Sequence, residues 1–144
     1  MNREDLKNYK YTQEWIKGRI EYIEGYKSTI NKITSTLSDM PKGSRQVQDS
    51  EAEKISKLMD MVDELMKKVL KENEKQMKIL EKLDKVEQPY KTILDKVYIQ
   101  GKTLVTVASE MNYSYNRMKH LHGAALNKFD DACKDDTIKY WIAP

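Results

Sequence analysis

The chain has 144 residues, carries a formal net charge of +3 and is 34% charged. Only five glycines and three prolines interrupt it, so strong breakers of helical patterns are few. Since Cys133 is the single cysteine, we expect no intrachain disulfide framework, and since residues 1–17 are charged throughout, we expect no secretory signal. Since the apolar runs are only a few residues long, a membrane span is excluded as well. We therefore expect a soluble, cytoplasmic protein with no membrane partner.

The first predicted element is a long helix from about Arg3 to Leu37. Its apolar residues recur at steps of three and four, which is the spacing of one face of an α-helix. Gly18 and Gly25 lie inside it, and each costs about 1 kcal/mol relative to alanine. We expect the helix to bend or break there. Residues 38–49, which contain a proline and a glycine, are predicted to be a linker.

A second long helix is predicted from Ser50 to about Glu87, with a capping box formed by Ser50 and Glu53. Glutamate and lysine flank its apolar seam, as they do at the edges of coiled coils. Because one amphipathic helix cannot bury such a stripe alone, residues 1–87 form either a hairpin within the chain or a homodimer through the long helices. The sequence leaves both arrangements open. The seam residues are Ile55, Leu58, Val62, Leu65, Val69, Ile79, Leu83 and Val86.

A small head is predicted after Pro89, which cannot continue the second helix. Residues 90–100 restart a helix, which covers a helix-turn-helix between Thr103 and Phe129 to give a trihelical head over residues 88–130. Residues 131–144 are expected to be a C-terminal tail, and the two acidic pairs Asp130-Asp131 and Asp135-Asp136 are expected to be solvated. The predicted fold class is all-α, a long helical coiled-coil hairpin or arm followed by a C-terminal helix-turn-helix head. The tail residues that either dock on the body or contact a partner are Ile138, Tyr140, Trp141 and Ile142.

The helix-turn-helix prediction depends on four residues at fixed places. Ala108 is small where a second helix must cross closely. Asn112 stands at the sharp turn, and asparagine tolerates left-handed backbone better than most non-glycine residues. Tyr113 is an apolar plug under the turn, and Ser114 is a suitable N-cap for the next helix. The residues expected on the buried side of the pair are Leu104, Val107, Met111, Met118, Leu121, Ala125 and Phe129.

The opposite side of the second helix is polar, and residues 114–128 include no acidic residue. Such a helix can lie in the major groove of DNA with its first residues on base edges. We expect Asn116 to pair with adenine and Lys119 with guanine, because these side chains match the groove atoms of those bases. The candidate DNA-binding residues are Tyr115, Asn116, Lys119 and His120 on base edges, and Arg117, Lys102 and Thr103 on phosphates.

Several short motifs of this chain recur in one group of known proteins. They are Met40-Pro41-Lys42-Gly43 after the first helix, Gly101-Lys102-Thr103, Val107-Ala108, Tyr113-Ser114, Arg117-Met118-Lys119, Leu121-His122 and Ala125-Leu126. From about Val86 to Phe129 the chain resembles region 4 of bacterial sigma factors. From about Ser38 it is more closely similar to small phage-encoded regulators, the ArpU-like and RinA-like late-gene activators. It departs from them at Asn112, where glycine is commoner.

The resemblance implies control of transcription in a phage or prophage of a low-GC bacterium, in the cytoplasm of the host cell. We therefore expect a sequence-specific DNA-binding regulator, an activator that acts with RNA polymerase on double-stranded DNA. Two other functions stay open. One is a coiled-coil adaptor that reads no bases, and the other is a DNA-packaging accessory protein similar to a small terminase subunit.

Enzyme chemistry has no signature in the chain. A glycine-rich phosphate loop, metal-spaced Cys/His sets and a nucleophile motif are all missing. His120 and His122 are two positions apart on a helix, so they point to different faces and cannot share a metal. We expect no catalytic residues, no metal and no cofactor. His122 is instead expected to pack near the middle of the helix.

Overall fold

The computed structural model describes the backbone of residues 1–38 and 45–142 and the side chains of residues 1–37 and 50–134. Within those ranges every regular element is helical, so the predicted all-α class is confirmed. A π-helical turn, Asp95–Ile99, follows the fourth helix. The helices are α1 (Arg3–Lys7), α2 (Tyr9–Ser38), α3 (Arg45–Asp84), α4 (Tyr90–Leu94), α5 (Leu104–Glu110) and α6 (Tyr115–Ile142).

The chain divides into two compact units that do not follow the predicted boundaries. One, here called the head unit, combines residues 1–13 with residues 74–144, and the other, the hairpin unit, is residues 14–73. The sequence had suggested a division into residues 1–87, 88–130 and 131–144. The head unit is therefore larger than the expected trihelical segment, and it includes the first residues of α2 and the last residues of α3.

The hairpin unit pairs α2 with α3 inside one chain. Ile16 and Ile23 of α2 form a buried cluster with Val62 and Val69 of α3. Leu37 shares a groove with Glu51, and Ile30 shares another with Met59, so the two helices run antiparallel. The first long helix therefore packs on the second within the chain, which is the first of the two arrangements that the sequence left open.

The first long helix is interrupted, but not at its glycines. Gly18 and Gly25 lie inside α2, and the break falls at Asn8, which is the C-cap of α1 and stands just before the first residue of α2. Leu6 and Tyr9, on either side of this break, are both buried in the same core. The expectation of a break at the glycines was wrong, since α2 continues through both of them.

The second long helix begins earlier than predicted. α3 starts at Arg45, so residues 45–49 of the predicted linker are helical and Ser50 is not an N-cap. The remaining linker residues, which include Pro41 and Gly43, lie outside the described residues. Near its other end, Gln76 interrupts the apolar seam. Its side-chain amide is buried and donates to the carbonyl of Tyr9 at 3.0 Å.

The core of the head unit joins segments from the whole length of the chain. Leu6 from α1, Leu83 from α3, Leu94 from α4 and Phe129 from α6 all lie in it, three of them with no exposed surface. Leu83 shows that the end of α3 packs in the core of the head unit. The contribution of α1 was not expected.

A polar clamp holds α1 to α6 beside this core. The backbone N–H of Arg3 donates to one carboxylate oxygen of Asp130 at 2.8 Å, and its Nε donates to the other at 2.7 Å. One terminal nitrogen of the same guanidinium reaches the side-chain oxygen of Asn127 at 2.6 Å. Charge-assisted bonds of this kind are stronger than neutral ones, so the clamp fixes the first turn of the chain.

The last predicted segment is not a separate tail. α6 continues without a break to Ile142, and Ala132 and Cys133 are buried in the head core. The apolar spacing of three and four residues simply continues past Phe129 into this pair. The Asp130 carboxylate is bound by Arg3 in the polar clamp, so it is not a freely solvated acidic group. The apolar side chains at 138, 140, 141 and 142 lie outside the described side chains.

The helix predicted over residues 90–100 changes character halfway. After α4 the backbone widens into the π-helical turn, where the N–H of Gln100 donates to the carbonyl of Asp95 at 2.9 Å. The side chain of Gln100 also donates to the Asp95 carboxylate at 2.7 Å. Gly101 then takes a positive φ of 74°, which glycine adopts without the steric cost of a side chain, and leads the chain into α5.

Candidate nucleic-acid interface

The turn between α5 and α6 has the geometry that its sequence indicated. Thr103 is the N-cap of α5, and its hydroxyl accepts the N–H of Thr106 at 3.2 Å. Asn112, two residues after the end of α5, takes the left-handed conformation at φ 61°. The N–H of Tyr113 donates to the carbonyl of Ala108 at 2.9 Å, as in a Schellman motif. The prediction that Asn112 is the turn residue is confirmed.

The two helices then pack through the residues expected on their buried sides. Ala108 is almost fully buried, and Met118 has no exposed surface. Tyr113 is half-buried against this cluster. Ser114 Oγ accepts the N–H of Arg117 at 3.1 Å, so the predicted N-cap of α6 is confirmed. The buried members of the cluster are Ile93, Val107, Ala108, Met118 and Leu121.

Most of the candidate DNA-binding residues share one exposed face. An α-helix turns by about 100° per residue, so the face centred between Asn116 and Lys119 lies on the side of α6 opposite the buried Met118 and Leu121. Arg117 is exposed on its flank. Five of the seven candidates therefore lie on the first two turns of α6, where a major-groove helix makes its base contacts. These exposed residues are Tyr115, Asn116, Arg117, Lys119 and His120.

Lys119 is held in place by its neighbour one turn earlier. Its Nζ lies 4.7 Å from the centroid of the Tyr115 ring, which is a cation–π contact. At an exposed site such a contact contributes about 0.5–1 kcal/mol. The ammonium therefore lies against a side chain of the first turn of α6.

Lys102, which is expected to hold a phosphate, is paired with an acidic side chain in the structure. Its Nζ lies 2.8 Å from one oxygen of the Glu110 carboxylate, and Lys96 lies 2.8 Å from the other. The hydrogen bond from Lys102, and then that from Lys96, keeps the pKa of Glu110 below its usual value. Without DNA, both lysines are thus engaged by one acid. Thr103 is exposed but serves as the cap of α5.

Gly123 is a residue of this face that sequence reasoning missed. It lies one turn after Lys119, is exposed, and would have nothing within 4 Å of an added Cβ. A position without a side chain lets a partner backbone approach the helix closely. The spacing of four residues from Lys119 is the signal that could have identified it.

The two histidines do different things, as expected. His120 is exposed on the candidate face, whereas His122 is half-buried and its Nε2 lies 2.7 Å from the hydroxyl of Tyr98. Burial lowers the pKa of His122, and the charges of Lys7 and Arg3 lower it further. In the part of the chain that the structure describes, no group of His, Cys, Asp or Glu side chains could hold a metal ion.

Comparison of the chain with protein-family models, with curated proteins and with solved structures gives no match. Among the described helices, none combines the length and the apolar character needed to cross a membrane.

Proposed function

We propose that this protein is a sequence-specific, non-enzymatic DNA-binding protein that reads double-stranded DNA with the first two turns of α6. The observation that carries the proposal is the exposed face of Tyr115, Asn116, Lys119 and His120 at the start of a helix whose other side is buried on α5. Helices of DNA-binding helix-turn-helix proteins enter the major groove in this way.

In the proposed complex Asn116 pairs with adenine, and Lys119 leaves the Tyr115 ring to donate to guanine. The face continues into Gly123, where the groove wall can come close to the helix. The positive end of the α6 dipole lies beside the phosphates, which adds attraction that does not depend on sequence. Arg117, on the flank of the face, is the phosphate contact that fixes the position of the helix.

We further propose that the regulated genes are those of a phage or prophage, and that the protein activates them with RNA polymerase in the bacterial cytoplasm. Support comes from the resemblance to late-gene activators and from the left-handed Asn112 turn that the sigma-like motif requires. A second copy of the chain would supply a second reading helix, because helix-turn-helix proteins commonly bind paired half-sites.

A second candidate function is a coiled-coil adaptor that recruits a protein and reads no bases. The hairpin unit favours it, since α3 exposes 54% of Met59, 41% of Met66 and 60% of Leu70. Large exposed apolar side chains in series mark interaction surfaces. In this case the face of α6 would be a solvated surface, and substitutions there would leave the partner bound.

The proposal is tested by measuring the affinity for duplex DNA at several salt concentrations, for the wild type and for single alanine variants. Removing one phosphate contact should reduce the slope of log affinity against log salt concentration by about 0.9. Removing a base contact should leave that slope unchanged. We expect Arg117→Ala to reduce that slope. Lys119→Ala should cost about 1–3 kcal/mol on a preferred site and relax specificity at one base pair.

Lys128 provides the matched control for Lys119. It is a lysine of the same helix, nine residues further along, and its Nζ lies 3.3 Å from the Glu87 carboxylate. Lys128→Ala should leave affinity and salt slope unchanged. If Lys119→Ala binds as tightly as Lys128→Ala and with the same preferences, the proposed reading face is wrong.

A further inference from the structure

The hairpin unit carries a second exposed surface on α2. Trp15 and Tyr22 keep 38% and 51% of their surface exposed, although both are large aromatic residues. Gly18 and Gly25 alternate with them at steps of three and four, so the four residues lie on one stripe of the helix. The stripe is about 130° around the helix from Ile16 and Ile23, which pack on α3. We call it the aromatic–glycine stripe.

The packing of this chain does not explain the two glycines. A Cβ added at Gly18 or at Gly25 would meet nothing within 4 Å. Glycine is nevertheless among the poorest helix formers, and both positions lie inside a 30-residue helix. Aromatic side chains that alternate with positions lacking a side chain form a row of knobs and holes.

The two exposed rings are already held in place. The guanidinium carbon of Arg19 lies 5.4 Å from the centroid of the Trp15 ring and 4.7 Å from that of Tyr22. A cation stacked between them restricts both rings. Side chains ordered in advance lose less conformational entropy on association, so the stripe is prepared for a partner.

We propose that the partner is a second copy of this chain, which binds through the same stripe in an antiparallel pair of α2 helices. The stripe is symmetric about position 20. Trp15 and Gly25 lie five residues on either side of it, and Gly18 and Tyr22 lie two residues on either side. A two-fold axis at position 20 places every ring opposite a glycine of the other copy, as a self-complementary interface requires.

Other arrangements fit less well. A parallel pair in register would put Trp15 against Trp15 and leave a void between facing glycines, which costs packing. The exposed methionines of α3 form a competing surface. There, however, the exposed Asp63 lies on the stripe between Met59 and Met66, so a partner would bury an unpaired carboxylate. The four positions of the aromatic–glycine stripe carry no charge, and the cation beside them, Arg19, is already stacked on the two rings.

The contact is short, since residues 15–25 span only about 15 Å of helix. Interfaces of this size lie at the low end of specific ones, and we expect a dissociation constant in the micromolar range. The dimer proposal does not depend on the proposed DNA binding, and it is tested in the absence of DNA. If both proposals hold, it supplies the second reading helix.

Sedimentation equilibrium of the full chain, from low to several hundred micromolar, tests the dimer. Gly18→Gln with Gly25→Gln should weaken self-association at least about tenfold, because side chains fill both holes. The melting temperature of the dilute monomer should be unchanged or higher, since glutamine is the better helix former. Gly123→Gln, the same change at an exposed helical glycine of the head unit, should leave the association as it is.

Four results would contradict the proposal, three on association and one on orientation. The wild type could remain a monomer throughout, or the double glutamine variant could associate as tightly as the wild type. Alternatively, Met59→Ser with Met66→Ser could abolish association while the glutamine variant keeps it, which would assign the interface to α3. Orientation is tested by mixing Trp15→Cys and Gly25→Cys chains in a Cys133→Ser background. The antiparallel pair predicts a mixed disulfide in preference to either symmetric one, and the reverse preference contradicts it.

Discussion

Truncation of Leu6 to alanine tests whether the first residues of the chain belong to the head core. Leu6 has no exposed surface and lies in one cluster with Leu94 and Phe129. Removing three carbons at about 0.8 kcal/mol each gives about 2.4 kcal/mol of lost transfer free energy. The cavity left behind brings the total to about 3–5 kcal/mol. Domains of this kind have only about 5–15 kcal/mol of stability, so the effect should be large.

Two measurements locate the effect of Leu6→Ala. Urea unfolding followed by circular dichroism gives the loss of free energy. The rate at which Cys133 reacts with a thiol reagent reports on the head core alone, because this thiol is buried there and burial raises its pKa. Leu70→Ala is the matched control: Leu70 is 60% exposed, and its truncation should cost less than about 1 kcal/mol. Equal losses for the two variants, with no faster reaction of Cys133, would refute the docking of α1.

Three further predictions concern the candidate site and its support. Asn112→Gly should raise the free energy of unfolding by about 0.5–1 kcal/mol in urea titrations, because glycine adopts the left-handed conformation at lower cost; a loss would contradict the turn geometry. Burial keeps His122 neutral with a pKa below 6.5, so wild-type stability should fall as pH drops below 6.5, where the unfolded chain takes up the proton first. The His122→Gln variant should lose less folding stability than the wild type over the same drop in pH. Equal losses of stability in the two proteins would exclude His122 as the cause. Glu110→Gln should release Lys102, and the slope of log affinity against log salt concentration for duplex binding should become steeper by about 1–2. An unchanged slope would show that the released lysine does not contact the phosphates.

The parts of the fold that the sequence predicted are those that neighbouring residues determine. The apolar periodicity of α3 predicted which residues face α2, and the order of Ala108, Asn112 and Ser114 predicted the turn and both of its caps. The exposed face of α6 follows from the same spacing. These features depend on contacts within a few residues, which the linear pattern carries.

The parts that escaped prediction depend on contacts between distant residues. Arg3 and Asp130 meet across 127 positions, and no periodicity links them. The pairing of Lys102 with Glu110 needs the π-helical turn, whose place the apolar pattern does not mark. The end of α6 was misplaced for another reason, since its acidic pairs resembled a solvated tail although the apolar spacing continued.

Selection from a random duplex library is the most direct test of the proposed DNA reading. Purified wild type is compared with the Asn116→Ala, Lys119→Ala double variant and with Lys128→Ala. We predict an enriched motif for the wild type and for Lys128→Ala, and its loss in the double variant. Two symmetric half-sites in that motif would agree with a dimer. If the wild type enriches no motif, or if the double variant enriches the same one, α6 does not read bases in the way proposed here.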